Sequence, residues 1–282
     1  MRSGPARRDL LRLLLAAPAL GPSSAVALAE EAGQPPLAFG VFPFLPALEI
    51  GRRFGPAASA LAEMIKRPVS LQTKTDFTAF RRFLRDGRYD IAFVHPFLYT
   101  DAATVQDYRP LGRIREDLTA FVVACKETPC RSFDELRGKV LALPPRLSGV
   151  AQLAMDELEE QQLLGPDGVR IEFFRTKASC IHAVVSGAAV ACVLPGFILD
   201  HLDDFAPIAL EPKLRTRSVP GILLVAHARL GEPLLTELVG IVLRLDRHPA
   251  GRNLLAAFGW TGFVTAEPAE YDAVRLRRVV DG

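Results

Sequence analysis

From Leu37 onward the chain alternates short apolar runs with segments whose apolar positions recur every three to four residues, the pattern of strands covered by amphipathic helices. Leu37–Phe42 and Val69–Thr73 read as strands. Between them a helix with Pro56 as an early residue should run to about Lys66, where Pro68 would stop it. Asp76 can cap a helix that places Phe77, Phe80, Phe83 and Leu84 on one face, and Gly87 closes it. Tyr89–Val94 then reads as a buried strand and Leu118–Cys125 as a long apolar one, followed by Ser132-Phe133-Asp134-Glu135, a capping-box pattern. Val140–Leu143, Val169–Phe174 and Ala189–Leu194 are the strands of a second set, separated by helices from about Ser148 and from Ser179. Gly221–Ala226 is again strand-like. From Pro233 the spacing of Leu234, Leu235, Leu238, Ile241, Val242 and Leu245 is helical, and no further strand is expected. No polar linker divides the middle, so two lobes of one body are expected rather than two separate beads.

Residues 1–29 stand apart from this pattern. Arg2, Arg7, Arg8 and Arg12 make a basic start, Leu10–Leu20 an apolar stretch too short to span a bilayer, and Ala27-Leu28-Ala29 a small-residue cleavage site. Arg7-Arg8-Asp9-Leu10-Leu11 has the look of a twin-arginine export signal, with Ala6 where Ser or Thr is usual. This segment holds four of the 34 Lys/Arg and one of the 32 Asp/Glu, so the formal charge of +2 belongs to it and the remainder is near neutral. A nucleic-acid partner is therefore not expected. At 49% hydrophobic residues, the rest can bury a sizeable core.

An exported chain meets an oxidising compartment, where disulfides are permitted. The four cysteines fall in two local pairs, Cys125 with Cys130 and Cys180 with Cys192; buried free thiols are the equal alternative. Neither pair, nor the five scattered histidines, has the spacing of a metal site, and no cofactor motif is present. Parallel-sheet folds hold ligands beyond the carboxyl ends of their strands, where helix N-termini direct free amides into a crevice. Here those positions offer Phe42, Pro43 and Phe44 after the first strand, and His95, Pro96 and Tyr99 after the third. Arg146, Ser148, Gly149 and Val150 follow Leu143. Packing duty is the competing reading for the two phenylalanines, and His95 and Tyr99 could serve only to hold their loop.

The run Gly87-Arg88-Tyr89-Asp90-Ile91-Ala92-Phe93-Val94-His95-Pro96-Phe97-Leu98-Tyr99 resembles the substrate-binding proteins of phosphate, phosphite and phosphonate ABC transporters. So do Leu136-Arg137-Gly138-Lys139-Val140 leading to Ser148-Gly149, and Ala183-Val184 followed by Gly187. The resemblance implies a type II periplasmic-binding fold: two α/β lobes of mostly parallel sheets flanked by helices, two crossing strands, and a ligand in the cleft. Leu118–Cys125 and Gly221–Ala226 are the candidate crossings, which puts residues 36–120 and 223–282 in lobe one and 121–222 in lobe two. It also implies that Lys177 stands where the family commonly has a histidine, with Ser179 beside it. The family's Ser-Thr-Ser cluster is matched here by Arg146-Leu147-Ser148, and the position of a usual Asp by Val190.

The implied function is periplasmic capture of a small oxyanion by lobe closure, as a monomer that delivers its ligand to an ABC permease. A ligand-sensing accessory protein of the same fold is the alternative. Catalysis ranks lower, because Ser148 lacks the Gly-x-Ser-x-Gly elbow and no His-Glu-x-x-His spacing occurs.

Overall fold

Strands and helices alternate into two mixed sheets, one in each of two lobes. The computed structural model describes residues 34–204 and 208–276; the export signal expected over residues 1–29 lies outside the described residues. The first sheet has the order β11-β4-β10-β3-β1-β2, from β1 (Leu37–Val41), β2 (Val69–Gln72), β3 (Ile91–Val94), β4 (Tyr108–Ile114), β10 (Leu223–His227) and β11 (Phe263–Val264). The second has the order β7-β6-β8-β5-β9, from β5 (Ala120–Cys125), β6 (Val140–Leu143), β7 (Arg170–Phe173), β8 (Ala191–Pro195) and β9 (Leu210–Arg215).

The sheets are less parallel than the sequence suggests. In each, three strands run parallel, β2-β1-β3 and β7-β6-β8, while β10 is antiparallel to β3 and β4, and β5 is antiparallel to β8 and β9. The two connections between lobes cause this: β5 and β10 each follow a crossing and enter a sheet running against its parallel strands. The crossings are residues 115–119 and 216–222. They touch at an isolated bridge, where Leu118 N donates 2.9 Å to Val219 O and Val219 N donates 3.1 Å to Leu118 O. The expected strands Leu118–Cys125 and Gly221–Ala226 therefore contain the ends of the crossings and continue as β5 and β10.

Three strands are absent from the sequence reading. Strands β4 and β9 carry Pro110 and Pro212, each beside a register shift that leaves Leu111 or Lys213 as the extra residue of a bulge. A proline and an unpaired residue break the alternation by which strands are recognised. Strand β11 is only two residues long.

Helix α1 (Ala47–Ile65) starts well before Pro56. Its buried stripe of Ile50, Phe54, Ala57, Ala58 and Leu61 packs on the first sheet, and that burial outweighs the hydrogen bond Pro56 cannot make from its exposed position. Pro56→Ala should therefore stabilise the protein by about 1–3 kcal/mol, read as a rise in the denaturant midpoint. A fall would mean that the proline's bend is needed for packing. Helix α2 (Phe77–Arg85) begins as expected, with the Asp76 carboxylate accepting 2.8 Å from Ala79 N. The Ser132 box yields only a short 3-10 helix over Phe133–Leu136: Glu135 accepts from Arg131 N at 3.0 Å, but Ser132 makes no side-chain cap.

All four cysteines are free thiols. Cys130 belongs to the large core cluster, whereas Cys125 packs on a separate small cluster in lobe two, so that local pair is split. Cys180 and Cys192 are both buried in that small cluster without bonding. Burial pushes the Cys180 thiol up to about 12, and Cys192 is raised by the same cause.

Candidate functional site: the interlobe cleft

Five strands end at the boundary between the lobes, and the residues after them make its walls. Beyond β1, Phe42 N donates 3.2 Å to Phe93 O, and Thr73 Oγ donates 2.8 Å to Val41 O, which ties the ends of β1, β2 and β3 together. Phe42 and Phe44 stack at 4.7 Å between centroids. Beyond β3, His95 caps α3 (Pro96–Ala103), with Pro96 in the first turn, where a missing N–H costs nothing. Beyond β6, Ser148 caps α4 (Gly149–Glu160), its Oγ accepting from Ala151 N at 3.4 Å. Beyond β7, Thr176 caps α5 (Lys177–Val185); the helix starts two residues before the expected Ser179, which instead closes a capping box with Thr176. Beyond β8 comes Phe197.

His95 is buried and joins the lobes. Its Nδ1 accepts from Leu98 N at 3.4 Å, so Nε2 carries the proton and donates 3.0 Å to the Leu147 carbonyl across the boundary. The edge of its ring meets Phe42 at 5.3 Å. Burial holds its pKa down at about 3, the Leu147 bond opposing only in part, so the imidazole is neutral. The contact is close: a methyl on Gly149 would lie 2.8 Å from Leu118 Cδ2 and 3.2 Å from His95 Cγ. Any larger residue would have to displace the Leu118 side chain and the His95 ring, so glycine favours this close approach of α4.

Lys177 makes the second link. Its stem is partly exposed, but its ammonium is enclosed, donating 2.6 Å to the Phe44 carbonyl and lying 4.8 Å from the centroid of Phe197 and 5.6 Å from that of Phe44. Among the described residues no carboxylate pairs with it. Burial alone draws its pKa down to about 7. Around it Phe44, Phe197 and Phe258 form a triangle, with centroids 5.9 Å (Phe44–Phe197), 5.5 Å (Phe44–Phe258) and 5.6 Å (Phe197–Phe258) apart. Phe44 and Phe258 come from lobe one and Phe197 from lobe two.

The structure thus brings Phe42, Phe44, His95, Ser148, Gly149 and Lys177 to the boundary. Val150 is buried in the core and Ser179 is occupied in its cap. Tyr99 sets its ring 5.3 Å from Tyr271, beside a separate groove with Tyr108 and Arg109. Arg146 is exposed, its guanidinium 4.1 Å over Phe173. Sequence reasoning missed Phe197, which follows Pro195-Gly196 at a strand end like Phe44, and Phe258, which no strand-end rule could locate.

The model of the family described as "ABC transporter, phosphonate, periplasmic substrate-binding protein" matches residues 39–271. The chain belongs to this family. Its fold is similar to PhnD1 of Prochlorococcus marinus in complex with methylphosphonate, with TM-score 0.73 and 18% identity over 84% of this chain and 94% of that one. It is also similar to a Xanthomonas citri protein bound to ATP, with TM-score 0.69 and 18% identity, covering 83% of this chain and 92% of that one. A third is a binding protein component of an ABC phosphonate transporter from Pseudomonas aeruginosa, with TM-score 0.72 and 13% identity over 84% and 83%. Membership makes this substrate-binding protein the solute-capturing component of a transporter, with a small ligand and a membrane permease as partners and the periplasm as its location.

Proposed function

We propose that this substrate-binding protein captures a small anion between its lobes, holds it on the Lys177 ammonium, and releases it to the permease without chemical change. The observation that carries this reading is the enclosed ammonium itself. A cation taken out of water with one carbonyl partner and no carboxylate is costly unless a ligand completes it. The family's known relation to phosphonates, and the methylphosphonate in PhnD1, support an oxyanion as that ligand.

Lobe one is then built on residues 36–114 with 223–276 and lobe two on residues 120–204 with 208–215, moving about the Leu118–Val219 bridge in the crossings. The contacts of His95 with Leu147 and of Lys177 with Phe44 are those of the closed form, and opening breaks both. Residues 1–29 act as the export signal, with the paired Arg7 and Arg8 favouring the twin-arginine route, and the protein works as a monomer. Unfolding and refolding the mature protein to strip bound solute, then screening oxyanions by thermal shift, tests the reading. A ligand at 100 times its Kd adds about 2.7 kcal/mol of stability. If phosphate, phosphite, sulfate and a series of phosphonates and sulfonates all leave the melting point unmoved, the proposal fails.

A further inference from the structure

Building on the reading that Lys177 holds an anion, we infer that the ligand of this cleft carries one negative charge and an apolar body of about aryl size, with no cationic substituent. An inventory of donors supports the single charge. His95 spends both ring nitrogens on Leu98 N and Leu147 O. The Thr176 and Ser179 hydroxyls lie 2.6 Å apart, and Ser179 Oγ donates onward to Thr176 O. The Ser148 oxygen accepts from its own helix, which leaves an uncharged O–H, and Leu118 and His95 crowd Gly149 where an anion would meet that helix start. The Arg146 guanidinium rests on Phe173.

What remains at the aromatic walls is the Lys177 ammonium with N–H groups to spare, beside the uncharged Ser148 O–H. A monoanion beside it makes a neutral pair, whereas a dianion leaves a net charge enclosed among aromatic rings, at a desolvation cost that rises steeply with charge.

The walls support the apolar body. Phe44 and Phe258 on one lobe and Phe197 on the other present three rings within 6 Å of each other, and their separation as the lobes open creates a slot lined on both sides by aromatic carbon. A flat apolar group inserted there replaces ring-to-ring contacts with ring-to-ligand contacts. The exclusion of a cationic substituent follows from charge. Among the described residues no carboxylate pairs with Lys177, and Arg53, 5.2 Å over the Phe258 ring, is itself paired with Glu49. A ligand ammonium would meet the Lys177 cation, and the nearby Glu49 carboxylate is already engaged by Arg53.

Titration calorimetry on the stripped protein tests this with matched probes. Benzenesulfonate should bind roughly ten- to hundredfold more tightly than methanesulfonate, and phenylphosphonate more tightly than methylphosphonate by a similar factor at a pH where both phosphonates are monoanions, because each pair then shares its charge and differs mainly in apolar area. Sulfate and phosphate should bind more weakly than any of the four, and 2-aminoethylphosphonate at least tenfold more weakly than ethylphosphonate. Phe197→Ala should abolish the phenyl preference, collapsing the ratio of benzenesulfonate to methanesulfonate affinity; Phe197→Leu serves as a second variant with a milder change in packing. Tightest binding by phosphate, sulfate or 2-aminoethylphosphonate, or a phenyl preference that survives both Phe197 variants, overturns the inference while leaving anion capture standing. Binding of no anion at all overturns both.

Discussion

Lys177→Met should weaken anion binding by roughly ten- to hundredfold, the loss of one charge-assisted contact, and at the same time raise the stability of the unliganded protein. The opposite signs separate a ligand-holding cation from a structural one. With the lobes closed and no ligand between them the ammonium is enclosed with a single carbonyl partner, so a methionine of similar length removes a desolvation cost and keeps the contacts with Phe44 and Phe197. The expected gain is about 1–4 kcal/mol at pH 7. Its pH dependence follows from the lowered pKa. Between about 7 in the folded protein and 10.5 in the unfolded chain, the unfolded state binds more protons, so the wild type gains stability as pH rises through that window. The advantage of the methionine variant is therefore full below pH 7 and disappears toward 10.5. The same lysine makes wild-type anion affinity fall as pH rises above 7, because binding then requires uptake of a proton. Urea denaturation and calorimetry at pH 6, 8 and 10 measure both effects. A destabilised variant with unchanged affinity would assign Lys177 to the fold.

Acid should loosen the protein through His95. Its folded pKa of about 3 lies below the ordinary 6.5, so between those values the unfolded chain takes up the proton and the folded protein refuses it. Stability is level above pH 6.5 on this account and falls by about 2–3 kcal/mol by pH 4.5. The groups facing the ring are Phe42, Phe77 and Phe97, the Leu147 carbonyl and the Leu98 amide, none of which carries a charge to hold an imidazolium. His95→Asn keeps an acceptor at the helix cap but cannot titrate. It should start less stable at pH 7, having lost the bond to Leu147, and then lose less than the wild type between pH 6.5 and 4.5. Carboxylate titration is common to both proteins, so the difference isolates the histidine. Parallel curves would show that His95 is not the acid-sensitive group.

The alternation of apolar runs made the order of strands and helices legible for most of the chain, and the capping residues Asp76 and Ser148 mark helix starts where the structure has them. What escaped was decided by contacts distant in sequence. Strands β4 and β9 are held by neighbours that tolerate Pro110 and Pro212 at bulges, and α1 keeps Pro56 because Ile50 and Phe54 are buried beneath it. At the cleft, strand-end reasoning located His95, Ser148 and Phe44, since the fold places every such end at the same boundary. It could not say which of them would be spent on the protein itself. That His95 has both ring nitrogens and Ser148 its acceptor engaged internally, while the Lys177 ammonium has N–H groups to spare, depends on distances that no spacing rule encodes.

The middle position of β10 also sets a timetable. The second sheet uses only residues between Ala120 and Arg215, so every strand it needs is present as soon as that stretch has been synthesised. The first sheet has a gap between β3 and β4 until Leu223–His227 arrives, which leaves the apolar edge of Ile91–Val94 without its partner while more than a hundred intervening residues are made. Lobe two is thus the part that can mature on its own, and lobe one must wait, with an open edge, for a strand delivered from the far side of its neighbour.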